Sequence, residues 1–317
     1  MTDARPRVSI IIVSWNTRDI LRDCLASVAA QTTAPHEVIV IDNASRDGSA
    51  EMVAAEFPDA VLIANTDNRG FAAANNQGLA VARGDHVLLL NPDTIILDRA
   101  IDKMLDWMAG HPDVGGAGCQ VLERPGVIQQ TCFADHTPVN LAIIQLGLAR
   151  LSRIVPLFGR FRYDGWDRRS ERDVDVVTGM FLLVPRAVLE QIGPLDEAFF
   201  VYGEEADWCR RIRNAGWRCV FTPIAQIIHL DGGKKSTTQI RPRMHVQLHK
   251  SHLLYIRKHH GRFAHLLTRG VYVVGALGRL SIFGGLRLFD DAEVNRAHVT
   301  LARAALRFHL LGKEPAA

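Results

Sequence analysis

The seven residues Val8-Ser-Ile-Ile-Ile-Val-Ser14 are apolar and β-branched almost throughout. A run with no polar face predicts a strand buried on both sides, in a sheet covered by helices above and below. The residues that follow keep up an alternation of elements. Ile20, Leu21, Cys24, Leu25 and Val28 recur at helical spacing behind a cap at Asn16 or Thr17. A second strand is expected over Glu37 to Ile41, then a short helix through Met52 and Val53 and a third strand at Val61 to Ala64. Gly70 to Arg83 reads as an Ala-rich helix and His86 to Leu90 as a fourth strand. Strands separated by helix-sized segments predict βαβ units and a mainly parallel sheet, whose ligands bind where strands end.

Beyond a helix near Ile101 to Met108 the pattern loosens, with strand-like pieces at Val114 to Leu122 and Val127 to Phe133. Residues 138–172 mix apolar stretches with Arg-rich turns and yield no assignment. Regular signals return at Val174 to Val184, in a helix from Glu204 to Asn214, and in strands near Arg218 to Phe221 and Gln226 to His229. The remainder reads as helical over His245 to His260, Phe263 to Leu288 and Asp291 to Leu310.

Charge divides the chain. Of a net +3, residues 241–317 carry +9 and the rest −6, and eight of the 13 histidines also fall in that last quarter. A basic tail on an acidic body is suited to an anionic partner. Within it, Val271 to Leu288 is apolar but interrupted by Arg279 and Arg287. It falls short of a membrane span of about 20 residues and fits a helix lying in the membrane interface, packing on protein being the alternative. The five cysteines are odd in number and lack CxxC spacing, which argues against a disulfide framework or a zinc site and fits a reducing cytosol. Met1 to Arg7 is short and polar and does not read as a signal peptide.

Polar clusters fall where strands end. Asn91-Pro92-Asp93 sets a carboxylate just beyond an apolar strand, where it needs water, a partner or a metal, although a solvated turn also fits the tripeptide. Asp42-Asn43-Ala-Ser-Arg-Asp-Gly48 offers nucleoside-binding groups, and equally an ordinary turn. Asn68-Arg69-Gly70 opens the Ala-rich helix with a glycine and a cation suited to phosphate, and Asn75 and Asn76 are poor helix formers with polar work to do. Glu204, Glu205 and Asp207 exceed what helix capping needs and are candidates for a general base. His229 ends an apolar strand and with Asp93 makes a pair able to ligate Mg²⁺ or Mn²⁺, while Lys235 follows in a Gly-Gly-Lys-Lys turn suited to a diphosphate. There is no P-loop, and Gly115-Gly116-Ala117-Gly118 lacks the spacing of a dinucleotide fingerprint.

Taken in order, these segments from Val8 to Ser236 resemble the family 2 glycosyltransferases, and Asn91-Pro92-Asp93 in place of Asp-x-Asp resembles their rhamnosyltransferase-like branch. The resemblance implies a GT-A fold: an α/β, Rossmann-like, mainly parallel central sheet with a C-terminal helical extension. It implies a glycosyltransferase domain over residues 1–240, with a nucleotide-sugar half (1–97) and an acceptor half (98–240), followed by a basic helical extension (241–317). Ser14, Trp15, Asn16, Asp42, Asn43, Asn68, Arg69, Gly70, Asn75, Asn91 and Lys235 would line the nucleotide-sugar site, and Asp93 with His229 would hold the metal. Where the family has Glu-Asp this chain has Glu204-Glu205, so the base stays open between Glu205, Asp207 and Glu204.

The implied activity is inverting transfer of a sugar, L-rhamnose from its dTDP donor by preference, to a glycan or polyprenyl-diphosphate-linked acceptor. The implied partners are an anionic membrane surface reached through the tail, with room for a homo-oligomer and no nucleic acid. The implied location is cytoplasmic, at the inner face of the cell membrane. A transferase of another UDP- or GDP-sugar, or a scaffold without turnover, are the competing readings. A sugar-phosphate nucleotidyltransferase would carry a Gly-rich basic loop after the first strand, which Ser14-Trp15-Asn16-Thr17 does not supply.

Overall fold

The computed structural model describes residues 5–230, 241–290 and 292–315. Within them lie twelve strands: β1 (Val8–Ser14), β2 (His36–Asp42), β3 (Val61–Ala64), β4 (His86–Leu90), β5 (Thr94–Ile96), β6 (Val114–Arg124), β7 (Val127–Ile128), β8 (Cys132–Phe133), β9 (Arg172–Asp173), β10 (Val176–Val177), β11 (Phe181–Pro185) and β12 (Arg218–His229). Helices α1 to α7 span Arg18–Gln31, Ser49–Glu56, Phe71–Val81, Ala100–Ala109, Pro138–Gln145, Arg186–Ile192 and Glu204–Asn214; α8 spans Arg241–Leu286 and α9 Glu293–Leu311. Contacts group them into two units. One comprises Met1–Ala134, Trp166–Phe200 and Glu204–Gly232; the other comprises Asp135–Gly165, Val201–Gly203 and Gly233–Ala317. The sequence suggests a domain over residues 1–240, in halves 1–97 and 98–240, and an extension over 241–317; by contacts, Asp135–Gly165 groups with the C-terminal helices.

The first unit is built on a ten-stranded sheet whose main path runs β3-β2-β1-β4-β11-β6-β12-β5. The first four strands are parallel, and β11 runs antiparallel to β4 and β6. Every residue of β1 is buried, as a strand without a polar face requires. Its alternating side chains serve two layers. Ile10 and Ile12 join a core with Leu21, Leu25 and Met104 from α1 and α4, while Ile11 meets α3 on the opposite face at Gly78. The cap of α1 comes from elsewhere: Asp47 Oδ2 accepts from the Arg18 N–H at 2.8 Å, and Asn16 Oδ1 instead accepts from Arg46 N–H. The two expected strands around residue 222 are a single strand, β12, whose register shifts between Thr222 and Gln226 about Pro223.

The unassigned segment 138–172 supplies α5, two 3₁₀ turns (Leu148–Leu151 and Pro156–Arg162) and β9. In the second unit α8 breaks at Gly261, whose φ of 85° is open to glycine and not to β-branched residues. The two arms fold back on each other: His265 Nδ1 lies 3.1 Å from Leu253 O and His252 Nδ1 lies 2.6 Å from the Tyr272 hydroxyl. Helix α9 closes on them through His249 Nδ1 and His309 Nε2, 3.0 Å apart.

Burial holds the rings of His136, His245, His249, His252 and His309 in the neutral form. Burial pushes His136, His245 and His309 down to about 4, and neighbouring cations and histidines act in the same direction on the last two. A histidine depressed in the folded state takes a proton first in the unfolded chain. Stability is therefore full above about pH 6.5 and is lost as pH falls from there toward 4, with a slope of at most about 1.4 kcal/mol per pH unit for each ring. Circular dichroism melts between pH 7.5 and 4 should show the loss; a flat profile through that window would contradict the buried neutral cluster.

Candidate active site

Because β1, β2 and β4 are parallel neighbours, their C-terminal ends lie on one edge of the sheet. Ser14 is level with Asp42, and Ile12 with Leu90, just before Asn91. The loops leaving these strands carry most of the polar residues singled out from the sequence, as an open α/β sheet requires of a binding edge.

Asp42 is 3% exposed. Its Oδ2 accepts from Ser45 N–H at 3.0 Å, while its Oδ1 is buried with no hydrogen-bond partner among the described residues. A buried carboxylate oxygen left so is costly unless a ligand donates to it. Trp15, in the adjoining loop, is 40% exposed. Ser14 Oγ is paired with Thr17 Oγ1 at 2.8 Å, and the Asn16 N–H donates to Ser45 Oγ.

The side chain of Asn43 is engaged within the protein. Its Oδ1 accepts from Arg69 N–H and Asn65 Nδ2, and its Nδ2 donates to Asn68 Oδ1 and Gly70 O. Two donors and two acceptor positions exhaust a primary amide. Asn43 thus shapes the Asn68-Arg69-Gly70 turn, and its side-chain amide is fully used in doing so. Asn68 Oδ1 also receives Gly70 N–H at 2.9 Å, and the exposed Arg69 projects from the turn they build. Gly70 has φ 84°, and a Cβ there would stand 2.4 Å from Phe200 O, so its close approach is to the protein's own backbone. Asn75, 1% exposed, donates to Phe71 O one turn back.

Asn76, adjacent in sequence, carries a link that spacing alone does not reveal. It donates to Leu195 O and Glu197 Oε1 and accepts from Leu195 N–H, each at 2.9 Å. With Phe71 N–H donating to Phe200 O at 2.6 Å, α3 is stapled to the segment that leads to the acidic helix α7.

At the start of α7 the three carboxylates separate. Asp207 is fully buried and paired with Arg211 at 2.9 Å, and Arg211 also donates to the carbonyls of Ile192 and Pro194. Glu204 is 3% exposed and Glu205 half-buried, so Glu205 is the more accessible of the remaining two. The turn before them holds Tyr202 at φ 68° and Gly203 at φ 90°, and a tyrosine in the left-handed region is stored strain.

Asp93 and His229 are brought together by strand pairing. His229 is opposite Thr94, and Leu230 N–H donates to Asp93 O at 2.8 Å. His229 Nε2 comes 3.0 Å from Asp93 Oδ1, with 2% and 15% side-chain exposure. Neither ring nitrogen has a partner in hydrogen-bond geometry among the described residues. A carboxylate oxygen and an unsatisfied imidazole nitrogen converging in this way fit two ligands of one divalent cation. Among the described residues no group of three His, Cys, Asp or Glu side chains gathers about a common point, so the remaining ligands would come from a bound molecule and water. Asn91 lies beside this pair with its backbone engaged, its N–H to Met180 O and its carbonyl accepting from Thr94 Oγ1. Lys235 lies outside the described residues.

The model of the family described as Glycosyl transferase family 2 matches residues 9–130. An N-acetylglucosaminyl-diphospho-decaprenol L-rhamnosyltransferase of Mycobacterium tuberculosis is 28% identical over 277 residues, 82% of this chain and 86% of its own. O-antigen biosynthesis protein RfbC of Myxococcus xanthus is 28% identical over 74% of this chain, which spans 18% of that longer protein. Among solved structures, a mannosyltransferase from Pyrobaculum calidifontis in complex with GDP-Man and Mn²⁺ matches with a TM-score of 0.60 at 20% identity, covering 98% of this chain and 89% of that one. The fold is GT-A and the chain is a glycosyltransferase, the match to the family 2 model being confined to residues 9–130.

Two substitutions separate architecture from chemistry. Asp207→Ala strands Arg211 without its partner and should cost about 3 kcal/mol or more of folding stability, read from urea denaturation. Glu205→Gln should leave the denaturation midpoint within about 0.5 kcal/mol of the parent's stability, as for a substitution outside the core network. Equal losses for the two would contradict the division of roles.

Proposed function

We propose that this glycosyltransferase moves L-rhamnose from dTDP-rhamnose to a hydroxyl of a polyprenyl-diphosphate-linked sugar, with inversion at the anomeric carbon, in cell-envelope polysaccharide synthesis. The observation that carries the metal-dependent chemistry is the convergence of Asp93 Oδ1 and His229 Nε2 at 3.0 Å beside the binding edge. The sugar and the lipid-linked acceptor rest on likeness to the mycobacterial rhamnosyltransferase over 82% of the chain.

The residues divide the work. Asp42 Oδ1, buried and lacking a donor, accepts the imide N3–H of the pyrimidine, and the exposed Trp15 indole offers it an apolar face. Arg69 and the α3 turn face the diphosphate. Asp93 and His229 would hold a divalent cation, the imidazole favouring Mn²⁺ over Mg²⁺. When bound, that cation supplies positive charge to the departing nucleoside diphosphate. Glu205 takes the proton from the acceptor hydroxyl as its oxygen attacks the anomeric carbon, and the bond from that carbon to the diphosphate oxygen breaks. The protein works at the cytoplasmic face of the membrane, with the basic, apolar C-terminal helices against anionic lipid.

Nucleotide release from a panel of dTDP-, UDP- and GDP-sugars, with and without Mn²⁺ and a lipid-linked N-acetylglucosamine acceptor, tests the reading. dTDP-rhamnose with metal and acceptor should give the highest turnover; a UDP- or GDP-sugar that outpaces it, or full turnover in chelator, would overturn it. Asp93→Ala should lower kcat/KM by about 100-fold or more with an unchanged melting temperature. Glu205→Gln should lower kcat by about 100-fold or more while donor affinity stays within a few-fold.

A further inference from the structure

The second unit contains a stretch with no negative charge that the site does not use. From His136 to Tyr163 there is no Asp or Glu, and Arg150, Arg153, Arg160 and Arg162 all lie exposed. Between and beside them stand large apolar side chains open to solvent: Ile154 at 79%, Leu157 at 51%, Leu151 at 44% and Leu146 at 42%. A 3₁₀ turn on each side of Ile154 presents these groups on a short, self-supporting projection.

This projection adjoins the second arm of α8. Arg279 donates to Gln145 O at 3.1 Å, and a Cβ at Gly275 would stand 2.7 Å from the same oxygen, so the end of α5 lies directly on the helix. Arg150 is close enough to Arg279 and His298 to act on both electrostatically. The exposed stripe of that arm runs through Phe263, Leu267, Val274, Leu277 and Ile282 without a charged group. No Asp or Glu occurs anywhere between residues 241 and 289. Two elements far apart in sequence thus present apolar side chains and an excess of arginines, with Asp164, packed against Gly159, the carboxylate beside the projection.

Charge decides what covers such a surface. A second copy of this chain docking face to face would set an excess of arginines against the same excess, with Asp164 too little to balance Arg150, Arg153, Arg160 and Arg162, and like charges across an interface are costly. A bilayer of anionic lipid offers phosphates to the arginines and acyl chains to Ile154, Leu157 and the α8 stripe, which is how amphipathic surfaces bind membranes. We propose that residues 146–162 form a second lipid-docking element, which lies in the anionic membrane interface alongside α8 and fixes the orientation of this unit on the bilayer. The proposal rests on the peripheral membrane reading given above and adds to it an internal segment that the C-terminal tail does not contain.

Vesicle flotation tests it with the full-length protein on phosphatidylglycerol and on phosphatidylcholine vesicles. The parent should float with the anionic vesicles only. Arg150→Glu/Arg153→Glu and, separately, Ile154→Ser/Leu157→Ser should each weaken that binding about tenfold or more. Both should retain the parent's melting temperature and nucleotide release with a soluble acceptor analogue. Independently of any variant, hydrogen exchange of the parent should slow across residues 146–162 when anionic vesicles are added. Undiminished binding by both variants, or unchanged exchange in this segment, overturns the second element while leaving the tail's role intact. Failure of the parent to bind any vesicle overturns the membrane reading and this inference together. A concentration-dependent dimer in sedimentation that both variants abolish assigns the surface to a second copy and overturns the lipid.

Discussion

The pairing of β1 with β2 and β4, all parallel and with β1 buried on both faces, is the constraint from which the rest of the first unit follows. Parallel strands end on the same edge, so Ser14, Asp42 and Asn91 must lie side by side whatever their loops do. A strand without a polar face must also be covered by helices above and below, which places α1 and α4 on one side and α3 on the other. The binding edge is therefore a by-product of burying seven residues, and the loops only decorate it.

Much of this was legible in the sequence because the signals are local. β-branched runs, helical spacing and strand-end carboxylates are read within a dozen residues, and Asp93 with His229 could be paired because each ends its own strand. What stayed hidden depends on distant partners. Asn43 has the chemistry of a ligand contact, and only the structure shows both its donors and both its acceptor positions consumed by Asn65, Asn68, Arg69 and Gly70. Asp207 looked as suited to base chemistry as its neighbours until Arg211 was found closed on it. Residues 138–172 gave no period because their elements, α5 and two 3₁₀ turns, are each too short to set one. The bend of α8 at Gly261 separates two arms that the sequence, too, reads as distinct helices.

The staples from Asn76 to Leu195 and Glu197, and from Phe71 to Phe200, give the first unit a second layer of order. They tie α3 to the segment entering α7, so the Asn68-Arg69-Gly70 turn and the carboxylates of α7 do not drift independently. Precise transfer requires such a link, since displacement of a catalytic group by about 1 Å can cost 100-fold in rate. In the second unit the neutral histidine cluster does comparable work, holding three helical segments together with polar rings that need no counter-charge.

The central claim is that Asp93 and His229 share one divalent cation with the diphosphate of the donor. Pulsed electron paramagnetic resonance of Mn²⁺ bound to the protein with dTDP reads that claim directly, through coupling of the metal to ligand nuclei. The account predicts both phosphorus coupling from dTDP and nitrogen coupling from an imidazole, with the nitrogen coupling lost in His229→Gln. Mn²⁺ bound with dTDP but showing no imidazole nitrogen, or a nitrogen signal untouched by His229→Gln, would contradict it.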